Sequence, residues 1–251
     1  MKKGSILLIA LLLGLCFAAP AGAEPPVYTS GDYQYVLLSD DTAKITKYTG
    51  IASEVTVPSV LDGCKVSGIG DYAFNECTFL TSITLPEGLN RIGEQAFSWC
   101  TSLTSITLPE GLTSIGEQAF SSCYTLTSII LPEGLASIGD YAFFDCYALT
   151  SINIPEGVTS IGDYAFCCCY ALTAVTLPEG LISIGDSAFF ACSSLISVAL
   201  PESMTDIGND AFFGCPENMQ FTVMKDSWAE SWCRENGKNY TNTDSLDWLN
   251  D

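Results

Sequence analysis

There is no histidine among these 251 residues. Its absence removes the one side chain that titrates near neutral pH, and with it His-based nucleophilic triads and histidine metal sites. Basic residues are nearly as scarce. Nine lysines and arginines face 29 aspartates and glutamates, and none lies between Arg91 and Lys225. Nucleic acid is excluded as a partner, because neutralising its phosphates requires a basic face. Beyond the N-terminal segment no apolar run is long enough to span a membrane. No pair of CxxC motifs is present, so zinc lacks its usual ligand spacing, and neither a metal nor a cofactor is expected.

What the chain has in abundance is a repeat. Residues 103–125 read LTSITLPEGLTSIGEQAFSSCYT, and close copies start at Leu80, Leu126, Leu149, Leu172 and Leu195, at a spacing of 23 residues. A fixed period of this length marks a solenoid, in which each repeat is one coil and stacking the coils makes the core. In the coil from Leu80, the residues Leu80, Ile83 and Leu85 alternate with Ser82 and Thr84 as a short strand does. Pro86 has no amide hydrogen for a ladder and ends that strand. Leu89 and Ile92 carry the chain back across the coil, Gly93 opens a short turn or a single helical turn, and Ala96, Phe97 and Cys100 face inward. Six apolar side chains per coil, at ~1.5–3 kcal/mol each when buried, can hold a stack together, whereas one coil alone would leave a face wet.

The pattern L-x-x-L-x-L-P-x-x-L-x-x-I-x-x-x-A-F-x-x-C resembles the BspA-like branch of the leucine-rich repeats, and the resemblance covers residues 52–217 in seven coils. It implies a right-handed, curved leucine-rich-repeat solenoid, β-rich with short helical turns, carrying a parallel sheet on its concave face. It also implies a secreted or cell-surface protein of host-associated microbes or protists that acts in adhesion and protein binding.

Outside the repeats, residues 1–23 have a secretory signal's layout: Lys2 and Lys3, the apolar run Ile6 to Leu13, and a small-residue Ala21-Gly22-Ala23 site. A membrane anchor is the rival reading. Residues 24–51 alternate as a hairpin around Ser39-Asp40-Asp41-Thr42 and are expected to cap the first coil. Residues 218–251 are expected to form a C-terminal cap and an acidic tail. There Gln220 to Met224 reads as a strand, and Ser227 with Glu230 reads as the capping box of a helix ending at Asn236-Gly237.

The acids form two columns, Glu87, Glu110, Glu133, Glu156, Glu179, Glu202 and Asp71, Glu94, Glu117, Asp140, Asp163, Asp186. At a coil spacing of about 4.8 Å, neighbouring carboxylates repel by roughly 0.8 kcal/mol in water. They are either solvated rims or a cation-stabilised edge. Cys77, Cys100, Cys123, Cys146, Cys169, Cys192 and Cys215 recur once per coil at an inward site and read as a buried ladder rather than as disulfides. Cys167 and Cys168 stand at variable positions, where they could be exposed thiols.

Acids that recur in every coil mark architecture rather than a catalytic site, so no enzyme is expected. The expected role is a secreted or surface-exposed module that binds a protein partner or mediates adhesion, including to host proteins. The alternative is a passive structural or coat solenoid. One candidate binding surface is the strand face, with Ser82, Thr84, Ser105, Thr107, Ser128, Ile130, Ser151 and Asn153, small and mostly polar. The other is aromatic: Tyr124, Tyr147 and Tyr170 follow the cysteines, Tyr141 and Tyr164 precede Ala-Phe, and Phe144, Phe190 and Phe213 follow the core phenylalanines. These rings either pack within the turns or form a sticky lateral face.

Overall fold

Each coil has three sides, and a different set of hydrogen bonds ties each side to the next coil. The computed structural model describes residues 25–243; the expected signal segment and residues 244–251 of the acidic tail lie outside them.

The first side carries the Ser-Ile-Thr strands. Glu54–Thr56, Ser82–Thr84 and Ser105–Thr107 pair in parallel, register on register. Further along, Ser151–Asn153 pairs with Ala174–Thr176, and Ser197–Leu200 with Gln220–Met224. The central residue of each strand is buried and its neighbours face out, the period of two that alternation demands. This ladder is broken. On this side the coil that holds Ile129 and Ile130 forms no strand, and Ile130 is 85% exposed where Thr107 and Asn153 stand in the neighbouring strands.

The second side carries the longest sheet. Arg91–Ile92, Ser114–Ile115, Ser137–Ile138, Ser160–Ile161, Ser183–Ile184 and Asp206–Ile207 pair in parallel, each isoleucine on the one before. They continue into Cys64–Ile69 and the N-terminal strands to make an 11-stranded sheet. The segment expected only as a return is thus the most continuous ladder in the molecule. The glycine after each isoleucine is needed for stacking: a Cβ on Gly116 would lie 2.7 Å from the carbonyl carbon of Gly93, and one on Gly139 would lie 2.7 Å from the amide nitrogen of Glu117.

The third side forms the short turn expected after Gly93, not the helical one. Residues 93–100 form two successive turns. Ala96-type and Cys100-type amides bond back three residues, as in Ala119 to Gly116 and Cys123 to Phe120. The amides between them cross to the next coil: Gln95, Phe97 and Trp99 donate to the carbonyls of Glu117, Ala119 and Ser121 at 2.8–2.9 Å. A helix would spend those amides on its own carbonyls. The turns place two residues per coil at positive φ, such as Gln95 (51°) and Trp99 (61°), and the same two positions recur from Tyr72 and Glu76 onward. Non-glycine residues hold these positions in nearly every coil, so cross-coil bonding offsets a backbone cost of order 1–3 kcal/mol each.

Inside, Phe74, Phe97, Phe120, Phe143, Phe166, Phe189 and Phe212 stack ring on ring at 5.1–5.4 Å. Tyr48 extends the stack at one end, 5.1 Å from Phe74, while Phe221 and Trp232 close the other end edge-on. The cysteine column lies beside it. Each thiol from Cys100 to Cys215 donates to the carbonyl of the phenylalanine one coil earlier, at 3.2–3.3 Å. Cysteine here is small and apolar and also serves a carbonyl. Burial pushes these thiols well above the ordinary range, and all cysteines of the described residues are free.

At the N-terminus Tyr28–Ser30, Tyr33–Leu37 and Ala43–Tyr48 form an antiparallel meander whose last strand joins the second-side sheet. The inserted Leu61 to Cys64 segment is a tight hairpin, with Asp62 and Gly63 both at positive φ, the requirement of a type I′ turn. At the C-terminus the one helix of the described residues, Trp228–Glu235, starts on Ser227, whose hydroxyl accepts from the Glu230 amide at 3.1 Å. It ends with Gly237 left-handed and Lys238 donating to the Cys233 carbonyl, a Schellman motif. Asn239–Thr243, the last described stretch of the expected cap and tail, is a strand paired in parallel with Gln220–Met224.

Candidate functional site

The aromatic residues that follow the cysteines make a continuous stripe. Each sits one residue past a Cys whose thiol and amide are held, so its ring has little choice but to stack on its copy in the next coil. Tyr124 lies 4.8 Å from Tyr147 with rings 7° apart, and Tyr147 lies 5.0 Å from Tyr170. Trp99 meets Tyr124 edge-on at 5.8 Å and begins the stripe. Trp99 is 47% exposed, Tyr147 37% and Tyr170 44%, so the stripe is wet along one edge.

Beside the stripe stand Asp145 and Cys168. Burial, then the Asp145 carboxylate, pushes the Tyr147 phenol up to about 12. A hydrogen bond with Cys168 does the same for Tyr170. Both phenols are therefore protonated donors at neutral pH. Cys168 lies with its sulfur 3.6 Å from that of Cys167. Cys167 itself is buried; of the two expected exposed thiols only Cys168 reaches solvent.

The other aromatic candidates divide. Tyr141 stacks on Tyr164 at 4.7 Å and tilts against Phe144 at 5.7 Å, all three half-buried. Phe190 stacks on Phe213 at 5.5 Å, and Phe213 is 61% exposed at the end of the solenoid. The structure does not join these pairs to the stripe through any ring contact among the described residues. On the strand face Thr84, Ser105, Thr107, Ser128, Ile130, Ser151 and Asn153 are exposed, while Ser82 is half-buried. Of these eight residues Ile130 alone is a large apolar group.

The acid columns differ from each other. In the second column Asp71, Asp140, Asp163 and Asp186 each accept, through Oδ1, the amide of the matching residue one coil later, at 2.6–3.0 Å. Those aspartates are rungs of the stack rather than free rims. Glu94 and Glu117, one methylene longer, accept instead from the glutamines beside them. In the first column burial, then Glu156 and Glu202, raise the Glu179 carboxyl above its ordinary range. Among the described residues no group of three or more cysteine, aspartate or glutamate side chains could hold a metal ion.

Trp99 is the stripe residue missing from the sequence expectation. It stands one position before a cysteine, whereas the tyrosines stand one after, so no column of the repeat links it to them. An aromatic residue in the same turn of the preceding coil was the available signal.

A three-sided coil of 23 residues with a short outward-facing strand, a proline stop and a stacked inward column defines a leucine-rich-repeat solenoid. The chain belongs to the BspA type leucine rich repeat family, whose model matches residues 67–171 and 113–230 in six copies. Among solved structures it is similar to a leucine rich cell surface protein from Faecalibacterium prausnitzii A2-165, with 39% identity and a TM-score of 0.75 over 81% of this chain and 56% of that one. A leucine rich repeat protein from T. pallidum is 32% identical, with a TM-score of 0.74 over 85% of this chain and 97% of that one. One from Bacteroides ovatus ATCC 8483 is 27% identical, with a TM-score of 0.62. The chain spans 56% of the length of the F. prausnitzii protein. No curated protein matches it. Among the described residues no helix is long and apolar enough to cross a membrane.

Proposed function

We propose that this chain is a non-catalytic binding module, exported to the cell surface or beyond, and that it engages a protein partner through the stripe Trp99, Tyr124, Tyr147 and Tyr170. One observation carries the reading: beside a phenylalanine column that is buried throughout, these four rings contact one another in order and are still partly exposed. Tryptophan and tyrosine dominate interface hot spots, and rings already held by stacking lose little freedom on binding. The strand face offers no comparable anchor. The cell-surface description of the F. prausnitzii relative supports an exported setting, and adhesion to host proteins is the finer form of the proposal.

The test is adhesion of the purified chain to cultured epithelial cells and to a panel of purified matrix proteins. The variant Trp99→Ser/Tyr147→Ser/Tyr170→Ser should lose at least about tenfold in binding, since each hot-spot truncation costs on the order of 1–2 kcal/mol. Ile130→Ser/Asn153→Ala should bind as the parent does. Equal binding by all three proteins overturns the assignment of the face. No binding by any of them favours the second reading, a passive coat solenoid. The raised Glu179 carboxyl between two like charges is the observation that keeps a cation-stabilised form of that reading in view. A melting temperature raised by calcium well beyond the effect of monovalent salt would support it.

A further inference from the structure

Among the described residues the third side of the solenoid ends in open donors. At each of six junctions three alternate amides of one coil donate to three alternate carbonyls of the next, from Tyr72, Phe74 and Glu76 through to Ser187, Phe189 and Ala191. In the last coil the same positions are Asp210, Phe212 and Gly214. Among the described residues their amides meet no acceptor.

The C-terminal cap explains why. After Cys215 the chain gives up the double turn and forms the helix Trp228–Glu235, and Trp232 covers the end of the phenylalanine stack at 6.2 Å from Phe212. A helix spends its carbonyls on its own amides, so it can shield apolar surface but cannot serve a row of donors. Two adjoining clefts of about 380 and 280 Å³ remain between the helix and the last coil, lined by Asp210, Phe212, Phe213, Gly214, Trp232 and Lys238. The Lys238 ammonium stands 5.9 Å from the Trp232 ring, and Phe213 presents an exposed face beside it.

We infer that this end of the solenoid is a second binding site, distinct from the stripe, and that it takes a peptide segment of a partner protein in the turned form one coil presents to the next. Three donors on alternate residues require carbonyls at i, i+2 and i+4, the arrangement by which one coil already receives the next. Lys238 calls for a carboxylate side chain in that peptide, and Phe213 for an apolar one. Backbone pairing gives the affinity and the two side chains the selectivity, as in strand addition to a sheet edge. A second copy of this chain does not meet the requirement. At its own N-terminal end the Ala73 carbonyl already accepts the Tyr48 amide, and the antiparallel meander lies over that coil.

Two measurements on the full chain test the inference. In hydrogen exchange the amides of Asp210, Phe212 and Gly214 should exchange at least about a hundredfold faster than those of Ser187, Phe189 and Ala191, whose acceptors are present. Protection equal to that of the earlier coil would mean the donors are already satisfied and overturns the proposal. The second measurement is an amide chemical-shift titration with an acetylated, amidated peptide copying residues 185–191. Its carbonyls at positions 186, 188 and 190 serve the preceding coil in the same way, and it carries Asp186 and Phe189. Shifts should appear at Asp210, Phe212, Gly214 and Lys238 and saturate with a Kd on the order of 1 mM. Lys238→Glu should weaken binding at least about threefold, and Phe213→Ser should weaken it without altering the exchange of Phe189. Shifts confined to Trp99–Tyr170, shifts that track protein concentration without peptide, or no shifts at about 10 mM peptide each overturn the inference.

Discussion

Two ladders of aromatic rings climb the same coils, four residues apart in sequence. One is Phe120, Phe143 and Phe166, stacked at 5.3–5.4 Å and fully buried. The other is Tyr124, Tyr147 and Tyr170, stacked at 4.8–5.0 Å and wet along one edge. Their spacing is nearly the same because the backbone sets it: amides on the third side tie each coil to the next, and any side chain at a repeated position must meet its copy. What differs is occupancy. The phenylalanine appears in every coil because each ring is part of the floor for the next. The tyrosine is absent from coils such as the one that puts Ser193 there, and the stack survives. Recurrence in all coils therefore marks what stacking requires, and recurrence in some marks what stacking merely permits.

That contrast can be broken most forcefully at the buried ladder. Phe120→Ala should lower unfolding stability by about 3–5 kcal/mol, while Tyr147→Ala should cost under about 1 kcal/mol. Urea denaturation of the two variants side by side checks it, and comparable losses would mean the exposed stripe is structural. Next in size is Gly139→Ala. The added methyl would press on the backbone of the coil before it, 2.7 Å from the Glu117 amide nitrogen, at an overpacking cost of about 1–3 kcal/mol. Gly63 has open space around it but a φ of 90°, so Gly63→Ala tests strain without collision. Smaller again is Cys123→Ala, which removes the thiol's bond to the Phe97 carbonyl and should cost about 1 kcal/mol. Full tolerance of that change would reduce the cysteine column to a matter of size.

The same contrast explains what could be read before the structure. The phenylalanine, cysteine and proline columns were legible because each recurs at an inward or strand-ending position and needs only the period to be seen. Tyr124, Tyr147 and Tyr170 were legible as a column, but their exposure was not, since that depends on how far a ring leans out of the turn. The second-side sheet was hidden because each coil gives it only two residues, such as Ser114–Ile115, too few to show alternation. The cross-coil bonds of the third side were hidden for a different reason. Their residues include Gln95, Tyr141 and Trp99 at positive φ, where glycine or asparagine would ordinarily announce a turn of this kind. Asp140 and its counterparts looked like mere surface charge because the amide each one serves lies one coil away.

The finest distinction between the two ladders is a proton. A phenylalanine has none to lose, whereas the Tyr147 phenol is held up to about 12 in the fold, chiefly by burial and then by Asp145, against an ordinary value of 10.0. A group whose folded value is raised contributes stability in its protonated form. That contribution is complete below pH 10 and is lost as pH rises from 10 toward 12, because the unfolded chain can release the proton earlier. Tyr147→Phe keeps the ring and its stacking but deletes the proton, so its stability should decline less than the parent's across that window. Other raised tyrosines, Tyr33 and Tyr35 among them, titrate in both proteins and cancel in the difference. The check is the urea midpoint of parent and variant at intervals from pH 9 to 12, and superimposable curves would place the Tyr147 hydroxyl in open water. A divergence would show that the stripe's edge is only half wet, its rings held by the stack and the Tyr147 hydroxyl held by burial and Asp145.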